Sequence, residues 1–206
     1  RVIGGWSHAV MWCVRHVLGI RWRIEGAENL PSQPSVILAK HMSAWETIAF
    51  QLIFPPQVYI YKRELFKVPF FGWGLAQMPS IAINRSSARE ALNQVVKQGK
   101  QWLADGFWVV IFPEGTRIAP GQSGQYKPGG SLLANKAQVP AVPVAHNAGE
   151  FWARNAFIKY PGEIVVSIGQ PILPSEGLSA SEINAKAEAW IESEMQRLFP
   201  HHFQPK

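Results

Sequence analysis

A histidine and a carboxylate, His41 and Glu46, stand five positions apart in the stretch Lys40-His41-Met42-Ser43-Ala44-Trp45-Glu46. An imidazole within reach of a carboxylate can act as a general base, because the carboxylate fixes the ring tautomer and steadies the imidazolium once a proton arrives. On one continuous helix, side chains five apart point away from each other. The pair therefore needs a loop that folds His41 back before a helix begins. Ser43 to Glu46 also has the form of a capping box, in which Ser43 caps a helix and Glu46 reaches back to the Ser43 amide. The two readings coexist, since a carboxylate has lone pairs for both an amide and an imidazole.

A second group of reactive types follows the apolar run Phe107 to Phe112, in Pro113-Glu114-Gly115-Thr116-Arg117. Gly115 permits a close backbone approach or a positive φ. Thr116 supplies a hydroxyl, and Arg117 supplies the planar fork that suits phosphate. Together they could cradle a phosphate, or they could be an ordinary turn with a solvated Glu114–Arg117 pair. A metal centre built from His41, Glu46, Glu114 and His146 has no ligand-spacing signature, so no metal is expected. No Gly-x-Ser-x-Gly elbow marks a serine hydrolase.

His-x-x-x-x-acid after one apolar run, with Phe-Pro-Glu-Gly-Thr-Arg after another, resembles the glycerolipid acyltransferases, and within them the lysophosphatidic acid acyltransferases. Two further blocks agree: Lys62-Arg63-Glu64-Leu65 through Val68 to Trp73 and on to Ile83-Asn84-Arg85, and Val139 to Val144. The likeness runs from about Gly26 to Pro171. It implies acyl transfer from a thioester to the free hydroxyl of a lysophospholipid, without a covalent acyl-enzyme, with His41 as base and Glu46 as its support. It assigns Glu114, Gly115, Thr116 and Arg117 to the acceptor's glycerol phosphate, with Arg85 and also Lys62 or Lys127 as further cations. No cofactor is implied beyond acyl-CoA or an acyl-carrier protein as co-substrate. The place implied is the cytoplasmic face of a membrane, such as a bacterial inner membrane. This chain departs from the family's usual pattern at Glu46 (Asp), Lys40 (Asn) and Asn84 (Asp). Rival readings are another acceptor (a lyso-ornithine lipid, glycerol 3-phosphate or a lysophospholipid) or a non-catalytic lipid-binding protein at the membrane surface.

The elements that must position these residues alternate. Ser35 to Ala39 and Phe107 to Phe112 read as buried strands, each ending at one of the two motifs. Further strands are expected at 21–26, 58–61, 81–83, 141–145 and 163–168. Helices are expected from Ser43, over 86–105 by apolar spacing, over 131–136, and after the capping box Ser179-Ala180-Ser181-Glu182. The Gly/Pro/Ser-rich loop 118–125 is expected to be mobile. The pattern predicts an α/β fold: a mixed, mostly buried β-sheet flanked by helices.

Residues 1–25 are expected to form an N-terminal membrane-associating segment ahead of the acyltransferase domain, 26–206. Val2, Ile3, Trp6, Val10, Val14, Val17 and Leu18 recur at helical spacing among basic residues, which describes an amphipathic helix lying on a lipid surface. No apolar stretch reaches about 18 residues, so no spanning helix is expected. The chain starts at Arg1, which leaves room for an anchor upstream, and no secretory signal is recognisable. Leu65 to Trp73, aromatic and beside Lys62, Arg63 and Lys67, suits either core packing or a headgroup contact.

A length of 206 residues with 47% hydrophobic and 17% charged residues is ample for one packed domain and far from disorder. The net charge of +6 favours anionic partners. Without a basic run or a nucleic-acid motif, lipid is the expected partner and nucleic acid is not. Nine tryptophans suit cores and headgroup zones alike. Cys13 is the only cysteine, so no intrachain disulfide can form.

Overall fold

The computed structural model describes residues 2–67, 73, 79–84 and 87–203, with only the backbone for 2–4. Seven strands form one sheet: β1 (Ile20–Glu25), β2 (Val36–Ala39), β3 (Gln57–Lys62), β4 (Ser80–Ile83), β5 (Trp108–Ile111), β6 (Ala141–His146) and β7 (Gly162–Ile168). Their order across the sheet is β1-β7-β6-β2-β5-β3-β4. Every neighbouring pair is parallel except β6 and β7. The sheet is thus mixed, as expected, and mostly parallel.

The central strand β2 is buried along its whole length. Successive side chains on a strand point to opposite faces, and β2 feeds two cores. Ile37 and Ala39 pack with Met11, Val14, Trp45 and Phe50 on one face. Val36 and Leu38 pack with Val95, Leu133, Ile183 and Ala187 on the other. The first face is covered by α1 (Val2–His16) and α2 (Trp45–Ile53). The second is covered by α3 (Ala88–Ala104), α4 (Gly129–Ala137) and α6 (Ala180–Leu198). A short helix, α5 (Ala148–Phe151), follows β6. Each large apolar side chain taken from water in these layers stabilises the fold by about 1.5–3 kcal/mol.

The helix starts bear out one capping expectation, revise another and add a cap at Ser87. Ser179 accepts from the Glu182 amide while the Glu182 carboxylate accepts from the Ser179 amide, a complete capping box at the start of α6. Ser87 caps α3 by accepting from the Glu90 amide. Helix α2 starts one residue later than a Ser43 cap requires: Ala44 occupies the cap position, and the Ser43 hydroxyl accepts from the Trp45 amide.

The strand expected at 21–26 is β1, at the edge of the sheet. One other sequence expectation changes. The loop 118–125, expected to be mobile, is tied at three points. The Ile118 amide donates to the His41 carbonyl (2.8 Å), the Gln122 carbonyl accepts from the Lys40 ammonium, and the Ser123 hydroxyl donates to Glu192. Residues 68–72 of the aromatic segment lie outside the described residues, while Trp73 is exposed. Among the described residues, no helix is long and apolar enough to cross a membrane.

Candidate active site

Strands β2, β3, β4, β5 and β6 run parallel, so their C-terminal ends lie at one end of the sheet. His41 comes two residues after β2, and the Glu114-Gly115-Thr116-Arg117 turn follows β5 beside it. In such sheets the crevice outside the carboxyl ends of the strands is where ligands bind. The bond from the Ile118 amide to the His41 carbonyl joins the two motifs directly.

Glu46 organises the first motif. Its Oε1 accepts from the amides of Met42 (3.0 Å) and Ser43 (2.9 Å) and lies 2.8 Å from His41 Nδ1. A carboxylate can only accept here, so Nδ1 carries the ring proton and Nε2 is left as the basic nitrogen. One oxygen thus serves both the helix-entry amides and the imidazole. Glu46 is fully buried, and its Oε2 meets no donor among the described groups. Burial pushes the Glu46 carboxyl up, but the facing His146 and His41 imidazoles and the Ser43 amide hold it below its ordinary value. The His41 ring stacks on Phe112, with centroids 4.1 Å apart.

Behind this pair lies a buried charge cluster. The Lys40 ammonium sits 2.7 Å from Glu114 Oε1 and 2.7 Å from Glu192 Oε1, the latter carried on α6. Tyr126 adds a hydroxyl donor to Glu192 (2.9 Å). Glu114 was expected to touch the acceptor, yet its side chain has no exposed surface. It points inward instead, with Oε2 accepting from the His41 amide at 3.2 Å. In this geometry it holds the backbone of His41. Burial raises the Glu114 carboxyl against the pull of Lys40, whereas Lys40, Ser123 and Tyr126 outweigh burial and lower Glu192.

His146, at the end of β6, is also buried, and burial lowers its imidazole, favouring the neutral ring. Its Nε2 donates to the Lys40 carbonyl (2.9 Å), and its Nδ1 accepts from the Ala148 amide (3.3 Å). Nitrogens engaged in this way brace the turn before His41 and are not poised as metal ligands.

The Gly115–Arg117 turn is built differently. Gly115 has φ +67, a conformation that a Cβ would strain, and a Cβ there would lie 3.0 Å from the Lys127 Nζ. The turn thus brings Lys127 over Gly115, close to Thr116 and Arg117. Thr116 and Lys127 are exposed and Arg117 is half-buried. Lys62 lies at the C-terminal end of β3, two strands from β2 across the sheet, also exposed. Arg85 lies outside the described residues. One residue absent from the sequence expectations joins this side: Arg154 donates to the Arg117 carbonyl (3.2 Å) and to the Thr116 hydroxyl (3.4 Å).

Sequence reading missed the brace more than the site. Lys40 stood out only as a departure from the family pattern, and Glu192 lies 152 residues away from it, with no local signal to join them.

The acyltransferase family model matches residues 21–147 of this chain. Over 202 residues the chain is 46% identical to a 1-acyl-sn-glycerol-3-phosphate acyltransferase of Pseudomonas aeruginosa, covering 97% of this chain and 78% of that protein. It is 31% identical to the Saccharomyces cerevisiae protein of the same name, covering 89% of this chain and 64% of the relative. For the human alpha form the identity is 30%, over 85% of this chain and 62% of the relative. The chain therefore spans just under two thirds of the yeast and human relatives. The crystal structure of the 1-acyl-sn-glycerophosphate acyltransferase of Thermotoga maritima shares the fold, with a TM-score of 0.76 at 24% identity over 95% of this chain and 78% of that one.

Proposed function

Since the chain belongs to the acyltransferase family, we propose that it moves a fatty acyl group from an acyl thioester to the free hydroxyl of lysophosphatidic acid, giving phosphatidic acid. The observation that carries this reading is the 2.8 Å bond between Ile118 and His41, which fixes the arginine-bearing turn beside the histidine–carboxylate pair. The names of the relatives support lysophosphatidic acid as acceptor.

The chemistry follows from the residues. The acceptor hydroxyl attacks the thioester carbonyl while His41 Nε2 takes its proton, and Glu46 steadies the imidazolium. The tetrahedral intermediate then expels the thiolate, which recovers the proton from His41. Base catalysis of this kind contributes about 10²–10⁴-fold. Arg117, with Lys127 and the Thr116 hydroxyl, holds the acceptor phosphate; Lys62, at the end of β3, adds a cation, and the family resemblance assigns Arg85 the same task. Fixing the phosphate orients the hydroxyl toward Nε2, which converts binding into rate. Acyl-CoA or an acyl-carrier protein is the donor, and the steps as written need no cofactor or metal.

The lipid acceptor places the enzyme at a membrane surface, on the cytoplasmic face in a bacterium. The N-terminal segment supports that placement: Met11 and Val14 are buried against the domain while Trp6 and Trp12, at 57% and 60% exposure, face outward. Indole rings favour the headgroup zone.

Thiol release from palmitoyl-CoA tests the reading, measured with no acceptor, lysophosphatidic acid, glycerol 3-phosphate, lysophosphatidylcholine or a lyso-ornithine lipid. Release stimulated most by lysophosphatidic acid, with phosphatidic acid as product, is expected. Preference for another acceptor would reassign the substrate, and release indifferent to every acceptor would mark a thioesterase.

A further inference from the structure

The turn between α5 and β7 displays apolar side chains that a soluble surface has no use for. Phe157 is 96% exposed, and Ile158 and Tyr160 are 61% and 59% exposed. Such contiguous display marks an interaction surface. The turn is nonetheless braced from inside. The Lys159 ammonium donates to the carbonyls of Ala156 (2.8 Å) and Phe157 (2.9 Å) and lies 5.2 Å from the centre of the Trp152 ring. Tyr160 donates its amide to the Phe151 carbonyl, and Asn155 takes φ +58, the left-handed corner that starts the turn. Phe157 is held out by structure.

Its position follows from topology. Strand β7 runs antiparallel to β6, so β7 begins at the end of the sheet where β2, β5 and β6 finish. Strand β1 is parallel to β7 and begins there too, with Ile20 opposite Gly162. The end of α1, with Val17 just after it at 71% exposure, therefore lies beside this turn at the same end as His41. The Gly162 amide bonds the Gly19 carbonyl, closing that edge. On the other side, Arg154 of the turn holds the Arg117 carbonyl. The charge also has one sign: no acidic residue precedes Glu25, and none lies between Glu150 and Glu163, while Arg15, Arg21, Arg154 and Lys159 fall in these segments.

We infer that Phe157, Ile158 and Tyr160 form a membrane-inserting wedge that seats the acceptor cradle on an anionic bilayer, continuous with the exposed end of α1. The inference rests on the lipid acceptor proposed above and names the surface from which that lipid enters. An aromatic and aliphatic tip flanked by cations fits the headgroup zone, where apolar rings insert and nearby lysine and arginine meet anionic lipid. Because Arg154 ties the wedge to the Thr116–Arg117 turn, a seated wedge puts the phosphate cradle at headgroup depth.

The test is the double variant Phe157→Asp/Ile158→Asp, whose sites are exposed and outside the catalytic machinery. Co-sedimentation with phosphatidylglycerol/phosphatidylethanolamine vesicles is expected to weaken by about tenfold or more. The KM for lysophosphatidic acid presented in those vesicles should rise in parallel. Turnover of a short-chain lysophosphatidic acid dispersed as monomers should stay at the wild-type level. Vesicle binding unchanged in the variant, or absent in the wild type, would overturn the wedge. So would a loss confined to acyl-carrier-protein donors, which would make the turn a protein-docking surface. If the wild type binds vesicles and the variant does not, while neither acylates the monomeric acceptor, the wedge stands and the acyl-transfer reading falls.

Discussion

The two halves of the site are held to very different standards. Around His41 the protein leaves little freedom: Glu46, Glu114, His146 and Lys40 are all buried, and each bonds the backbone or side chain of residues 40–43 or another member of that group. Around Arg117 the cations are exposed or half-buried, joined to the frame by backbone bonds and by Arg154. The contrast matches the tasks proposed for them. A base must meet one proton at one distance, and an error of about 1 Å there can lose a hundredfold in rate. A phosphate accepts from many directions and can be met by mobile cations that close on it after it arrives.

That contrast can be broken first on the rigid side. Lys40→Met leaves the buried Glu114 and the half-buried Glu192 without their shared cation, and breaking a buried pair such as Lys40–Glu114 costs about 3–5 kcal/mol. Denaturant unfolding should show that loss, and a change within error would make the cluster ornamental. Next comes Glu46→Asp, which restores the family's usual residue but draws the carboxylate back by one methylene from the Met42 and Ser43 amides. A fall of about a hundredfold in kcat is expected. A gain in activity would show that glutamate is a compromise at this position.

On the looser side the effects should be smaller and selective. Arg117→Ala removes a charge-assisted contact worth about 1.5–3 kcal/mol, and the loss should appear in kcat/KM for phosphate-bearing acceptors. An uncharged monoacylglycerol should be nearly unaffected, and equal loss for both would take Arg117 out of phosphate binding. The smallest expected effect separates the halves by pH. Glu46 is held below its ordinary value of 4.5 in the folded state, so its stabilising contribution is present above that value and is lost as pH falls through the lower folded one. The Tm advantage of the wild type over Glu46→Gln should therefore shrink on acidification below about 4.5. An advantage that grows with acid would reverse the sign of the coupling.

The same contrast decided what the sequence disclosed. Strands β2 and β5 were legible because central strands buried on both faces read as short apolar runs, and each ends at a motif whose residue types announce chemistry. The capping box at Ser179 was legible because its partners are three residues apart. The inward turn of Glu114 was not, since a carboxylate after a strand looks the same whether it meets a ligand or a lysine. Lys40 and Glu192 meet only because α6 packs back over the end of the sheet, a contact without a local pattern. The wedge at Phe157 has no local signal for a related reason: Ala156 and Ile158 flank it in sequence, and only burial distinguishes an outward phenylalanine from a core one.

The account depends most on His41 acting as the base. The direct measurement is single-turnover thiol release from palmitoyl-CoA with saturating lysophosphatidic acid, comparing wild type with His41→Ala at equal fold content by circular dichroism. A rate lower by about 10²-fold or more is predicted. Release near the wild-type rate from a folded His41→Ala protein would contradict it.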